Sequence, residues 1–279
     1  MPTDLVWSDV GRGAPLLLIH GGLGLDHRYF FPALSPLADR LRLIAYDQRG
    51  CGTSPEPADW DRADFADWVE DVDHVRDAAG AERPVLLGHS FGGMIAIEYA
   101  LRYPERVAGV IVSATAPALD FAERAIGRAV ARATPAQAEA LVAGLTQPFA
   151  DDAAFSTFCA TVVPLYFHRP TPGLEAALAR VRFRAAGFNR TMHHWLPQLD
   201  LTPRLGGLRV PVLIASGTDD WLSPPDCAAD RLEAGIPQVT RVDFTASGHF
   251  PFLEQPSLFQ QALLNWMTAH GLLSAERAR

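Results

Sequence analysis

Ser90 stands in Gly88-His89-Ser90-Phe91-Gly92-Gly93, directly after the apolar run Pro84–Leu87 and directly before a segment with helical spacing from Gly92 to Tyr103. A serine between two glycines at such a strand-to-helix turn exposes its hydroxyl on a sharp bend, and the glycines keep the adjoining backbones from colliding with it. The helix that follows points its first amides toward negative charge developing there. Outside that context the same spacing would be an ordinary turn. Serine is a weak nucleophile and needs a neighbouring base titrating near neutrality. Among nine histidines, His249 fits: Ser247-Gly248-His249-Phe250-Pro251 is a loop between a late strand and a closing helix, at the carboxyl edge where α/β sheets gather their loops. The base in turn needs an orienting carboxylate, and Gly217-Thr218-Asp219-Asp220-Trp221-Leu222-Ser223-Pro224 offers two. Adjacent loop residues diverge, so one serves. The position of Asp220 between Gly217 and Pro224 favours it, and Asp219 stays the alternative, otherwise a turn or capping carboxylate. Donors for an oxyanion would be the Phe91 N–H and the Gly22 or Leu23 N–H of His20-Gly21-Gly22-Leu23-Gly24. That glycine run is not a dinucleotide fingerprint, because the third glycine and the acid after a second strand are missing.

The other histidines carry no such pattern. His20 is expected to support the glycine turn beside it, and the His89 side chain is expected to point away from the place of the base. His193 and His194 are adjacent, so on a helix they face different ways and cannot pair on a metal. His27, His74, His168 and His270 read as surface or packing residues.

The elements that must position these groups follow from apolar runs. Ala14–His20, Arg42–Tyr46, Pro84–Leu87, Val107–Val112 and Val210–Ala215 read as strands buried on both faces, with Val239–Phe244 a late strand. Phe65–Ala79, Gly92–Tyr103, Pro224–Ala234 and Pro256–His270 have helical spacing. The alternation predicts an α/β, mostly parallel, doubly wound sheet. From about Thr115 to Leu205 the strand rhythm gives way to Ala-, Arg- and Pro-rich helical text, which predicts a helical insertion at 115–205 in a core formed by 1–114 and 206–279. The insertion holds nine arginines against seven acids and many aromatics: Phe121, Phe149, Phe155, Phe158, Tyr166, Phe167, Phe183, Phe188 and Trp195. Most are expected to pack inward and some to line a cleft. Ser274–Arg279 is expected to fray.

Composition narrows the classes. The chain has 279 residues, a formal charge of −8, and 24 basic residues that are all arginine. The acidic balance argues against nucleic acid or anionic membrane as partners. The missing lysine removes Schiff-base chemistry and a phosphate-loop lysine. The longest apolar run is far too short to span a bilayer, and no secretory leader pattern is present, so a cytoplasmic protein is expected. Cys51, Cys159 and Cys227 are widely spaced and odd in number, which suits reduced, buried thiols. No metal set or cofactor motif is expected.

At these separated sites, and in the order Ser90, Asp220, His249, nearly the whole chain resembles the α/β-hydrolase superfamily, with the insertion in the position of its helical cap, or lid. Asp47-Gln48-Arg49-Gly50-Cys51-Gly52-Thr53-Ser54, with the His-Gly-Gly turn, is similar to the proline iminopeptidase branch. The same loop also recurs in many hydrolases as a structural brace. The resemblance implies a serine hydrolase acting through an acyl-enzyme on a small ester or amide. Two positions depart from the iminopeptidase pattern: Leu23 where proline is usual, and Trp221 where many members have an acid receiving the substrate ammonium. Aminopeptidase action would then need other buried carboxylates, from Glu123, Glu139, Glu175 or the Asp151–Asp152 pair; otherwise the pocket is apolar. Carbon–carbon bond hydrolases and lactonases reuse the triad. A non-catalytic receptor on this fold often lacks a triad member, and all three are present here. Arg182, Arg184 and Arg190 read as a solvated face in preference to a carboxylate site.

Overall fold

An apolar run without polar alternation is buried only where both faces of its strand are covered, and such runs form the centre of one sheet. In the computed structural model, which describes residues 4–169 and 177–273, the strands are β1 (Trp7–Gly11), β2 (Ala14–Ile19), β3 (Leu41–Tyr46), β4 (Val85–His89), β5 (Gly109–Ser113), β6 (Val212–Gly217) and β7 (Val239–Phe244). Their order is β1-β3-β2-β4-β5-β6-β7. β1 runs antiparallel to β3 and the other pairs are parallel. Registration of Leu18 with Leu87, Leu87 with Ile111, and Ile111 with Leu213 stacks like side chains across the middle.

The helices are α1 (Phe31–Leu34), α2 (Phe65–Ala78), α3 (Phe91–Arg102), α4 (Ala122–Arg132), α5 (Pro135–Thr146), α6 (Asp152–Val162), α7 (Ala185–Arg190), α8 (Ala229–Gly235), α9 (Pro251–Glu254) and α10 (Pro256–Ala269). Successive strand residues face opposite ways, so β2 feeds two cores. Leu17 and Ile19 join α2 and α3 residues such as Val72 and Ile95. Leu16 and Leu18 join α1 and α10 residues such as Leu34 and Leu263. α2 starts at a capping box in which Asp64 accepts from the Ala66 and Asp67 amides.

Two elements differ from the sequence expectation. β1 is an additional edge strand, stabilised by pairing with β3 despite its polar Ser8 and Asp9. The helix expected from Pro224 begins only at Ala229, because Pro224 and Pro225 hold the first part in a turn that Ala228 N–H closes on the Pro224 carbonyl.

Between β5 and β6 the chain carries α4 to α7. The two ends of this segment meet: Leu201 N–H donates to the Pro117 carbonyl at 2.9 Å and Ala118 bridges Asp200. It lies over the carboxyl ends of the strands, tied by Arg184 N–H to the Gly24 carbonyl at 2.8 Å and by His249 N–H to the Tyr166 carbonyl at 2.6 Å. Gly24 has φ +81°, and a Cβ there would sit 2.2 Å from the Arg184 carbonyl oxygen, so the first tie needs glycine. α7 continues into a π-helical turn, Thr191–Trp195. Glu175 and Ser274–Arg279 lie outside the described residues.

Candidate active site

β4 delivers the chain at full burial to Ser90, which takes φ 52°, ψ −121° before α3 begins at Phe91. A non-glycine residue in that region is strained. The bend survives because its surroundings over-determine it. Ser90 N–H donates to the Ser113 carbonyl at 2.9 Å, its carbonyl accepts from Gly93 N–H at 2.8 Å, and the same carbonyl accepts from the Thr115 hydroxyl at 2.6 Å. The flanking glycines permit the crossing: a Cβ on Gly88 would lie 2.3 Å from the Gly92 oxygen, and one on Gly92 would lie 2.1 Å from that of Ile19.

β6 ends at Gly217, and the turn after it aims Asp220 and Asp219 in different directions. Asp220 is buried; its Oδ1 accepts from the Leu222 and Ser223 amides at 2.9 and 3.1 Å, and its Oδ2 lies 2.8 Å from His249 Nδ1. Asp219 turns outward to His168 Nδ1 at 3.1 Å. His249 is 3% exposed, and its ring packs against Tyr166. Beneath the loop, half-buried Glu254 accepts from Gly248 N–H at 2.7 Å and His168 N–H at 2.8 Å. Burial raises its carboxyl above the ordinary range, although these donors pull the other way.

The His89 ring, contrary to expectation, does not point away. It lies against His249, ring centroids 4.9 Å apart, and its Nε2 is 2.9 Å from the His249 carbonyl oxygen. Because a carbonyl only accepts, Nε2 carries hydrogen, and Nδ1 accepts from the Tyr29 hydroxyl at 2.9 Å. Tyr29 in turn accepts from Gly21 N–H. One chain of hydrogen bonds therefore joins the glycine turn, the residue before Ser90 and the backbone of His249. Burial, reinforced by His249, drives the His89 pKa well below 6.5. Nothing near Tyr29 in sequence signals this, since its partner is sixty positions away.

The glycine turn is braced from below as expected. His20 Nε2 accepts from Gln48 N–H at 3.0 Å while Nδ1 donates to the Gly21 carbonyl at 2.8 Å. His27, expected at the surface or in packing, is instead buried in a polar bond: Nδ1 lies 2.6 Å from Asp47. Burial works to raise the Asp47 pKa, but the bonds from His27 and Thr53 hold it well below the carboxylate range. Arg49 clasps Asp71 through two bonds of 2.6 and 2.7 Å. The Asp47–Ser54 loop is thus a brace. Among the described residues, no acceptor faces the N–H of Gly22, Leu23 or Phe91.

Gly22, Leu23, Ser90, Phe91 and His249 all border one cavity of ≈ 140 Å³. Of the aromatics in the 115–205 segment, Phe155, Phe158, Tyr166, Phe183 and Phe188 line it; Phe121, Phe149, Phe167 and Trp195 do not. Among the described residues no Asp, Glu or Arg borders it. Glu123 and Glu139 are exposed, Asp151 caps α6, and Asp152 accepts from Ala185 N–H at 2.8 Å. Trp221 is buried against Tyr166, outside the cavity. Arg184 pairs with Glu56 and Arg190 with Asp61. All three cysteines are free and buried, and among the described residues no group of His, Cys, Asp and Glu has metal-binding geometry.

A mostly parallel sheet with a serine on a strained turn at its carboxyl edge, bordering the same cavity as the histidine of a His–Asp pair from later loops, is a hydrolase-like architecture. The alpha/beta hydrolase fold family model matches residues 14–256, and the chain belongs to that family of enzymes. It is 30% identical over 269 residues to a proline iminopeptidase of Lactobacillus delbrueckii subsp. bulgaricus, covering 91% of this chain and 90% of that one. A proline iminopeptidase of Clostridium botulinum is 32% identical, covering 94% and 92%. Among solved structures, a thermophilic esterase from Thermogutta terrifontis superposes with a TM-score of 0.75 at 25% identity, covering 95% and 93%. Proline iminopeptidase from Mycobacterium smegmatis gives 0.76 at 24%, covering 95% of each chain.

Proposed function

We propose that this hydrolase cleaves a small ester or amide through an acyl-enzyme formed on Ser90. The observation that carries the reading is the 2.8 Å Asp220–His249 bond in the wall of the cavity that Ser90 also borders. Asp220 fixes the Nδ1–H tautomer, which leaves Nε2 free to accept the Ser90 proton as Oγ attacks the carbonyl. The oxyanion is received by Phe91 N–H with Gly22 or Leu23 N–H. His249 then protonates the leaving group, and water repeats the sequence to release the acid. The 115–205 segment acts as the cap over this reaction, in a protein working on small molecules in the cytoplasm.

Ser90→Ala is expected to lower turnover of p-nitrophenyl acetate by about ten-thousandfold or more while leaving the thermal melt in place. Undiminished turnover in the variant would remove Ser90 from the mechanism. The iminopeptidase relatives favour a second reading, release of N-terminal proline by the same triad. It predicts faster cleavage of proline p-nitroanilide than of simple acyl esters.

A further inference from the structure

We infer that the cavity takes an uncharged acyl group of about six carbons, a compact ring or short chain, and turns away the same shape carrying an α-ammonium. The inference rests on the serine-hydrolase reading and specifies its substrate. Size comes first. A cavity of about 150 Å³ lined by apolar side chains holds one benzene, and ≈ 140 Å³ beside Ser90 is the same scale. Each methylene that enters such a site contributes about 0.8 kcal/mol, close to a fourfold gain in kcat/KM, until the space is full.

Charge comes second. A proline ring would fit this volume, so shape alone does not separate an iminopeptidase substrate from a neutral one. The cavity lining includes Phe155, Phe158, Phe188, Met94 and Met192. Phe155 and Phe158 are 1% and 8% exposed, and the Phe155 and Phe188 rings stand 4.8 Å apart. Aromatic faces do attract a cation, but that attraction recovers only part of the cost of stripping water from an ammonium with no carboxylate beside it. Among the described residues the cavity lining offers no such carboxylate, and the position after Asp220 is occupied by Trp221, whose ring packs against Tyr166 at a tilt, centroids 5.3 Å apart.

The test compares methyl cyclopentanecarboxylate with proline methyl ester, which share ring shape and leaving group, followed by acid release at constant pH. The expected result is a preference for the carbocycle of at least about a hundredfold below pH 7. Both esters are also titrated calorimetrically into Ser90→Ala, where only the carbocycle is expected to bind; this arm reads the pocket even if Ser90 proves not to be the nucleophile. A p-nitrophenyl ester series from two to twelve carbons should peak near six, and Phe188→Leu should move the peak to longer chains. Preference for the prolyl ester, above all one abolished by Glu175→Gln, would overturn the inference. So would a flat chain-length series, or binding of both esters equally. Labelling of Ser90 by a fluorophosphonate separates the two failures: labelled protein with prolyl preference refutes the pocket assignment, whereas absence of labelling refutes the serine-hydrolase reading.

Discussion

Burial fixes the protonation of two histidines next to the candidate nucleophile. His89 and His20 are held below their ordinary pKa of 6.5, both chiefly by desolvation. In the unfolded chain each titrates near 6.5, so below that pH the unfolded state binds more protons than the native one and stability falls as pH falls. Each group contributes a slope of up to about 1.4 kcal/mol per pH unit in that window. Melting temperature should accordingly drop between pH 7 and pH 5, and His89→Gln should flatten the curve by about one proton, measured as urea-unfolding free energy against pH. An unchanged slope would mean that His89 is not buried in the neutral form. The loops that carry Ser90, Asp220 and His249 at the strand ends were legible because each is a short turn that contains a glycine. Tyr29 and His89 were not: the first has no motif, and the second was assigned a direction from its neighbour instead of from its partners.

At the scale of elements, the crossing of β2, β4 and α3 sets the tolerance of the site. Gly92 faces the last carbonyl of β2 so closely that any Cβ must push backbone against backbone. Gly92→Ala should therefore cost about 3 kcal/mol or more, and by displacing the end of β2 it should also shift the Gly21–Leu23 amides and lower kcat. Gly127→Ala, on exposed α4 with open space around it, is the control and should be neutral or slightly stabilising by thermal melt. The buried strands were legible because continuous apolar runs admit few alternatives. β1 was missed because Ser8, Asp9 and Gly11 weaken its pattern and its partner supplies the order. The late start of α8 shows a proline pair overriding helical spacing.

For the whole molecule, the sequence carried the doubly wound sheet and the place where helices interrupt it, but not which aromatics would face the cavity. That depends on how α6 and α7 settle over the strand ends, a packing outcome that spacing within one helix does not determine. The sheet's two borders have a colloidal consequence. On β7, Arg241 lies between Asp230, Glu233 and Asp243 at 2.6, 3.0 and 2.9 Å, so an approaching strand meets fixed charge. β1 has no outer neighbour among the described residues and presents Trp7 and Val10 at 37% and 42% exposure, with Val6 just before it at 41%. An edge that exposes apolar side chains in this way beside the Asp9–Arg42 ion pair is a template for strand addition. Val10→Lys should raise the concentration at which light scattering appears without altering turnover, whereas Arg241→Val should lower it. The β1 border, not the β7 border, would then be where concentrated solutions of this hydrolase begin to associate.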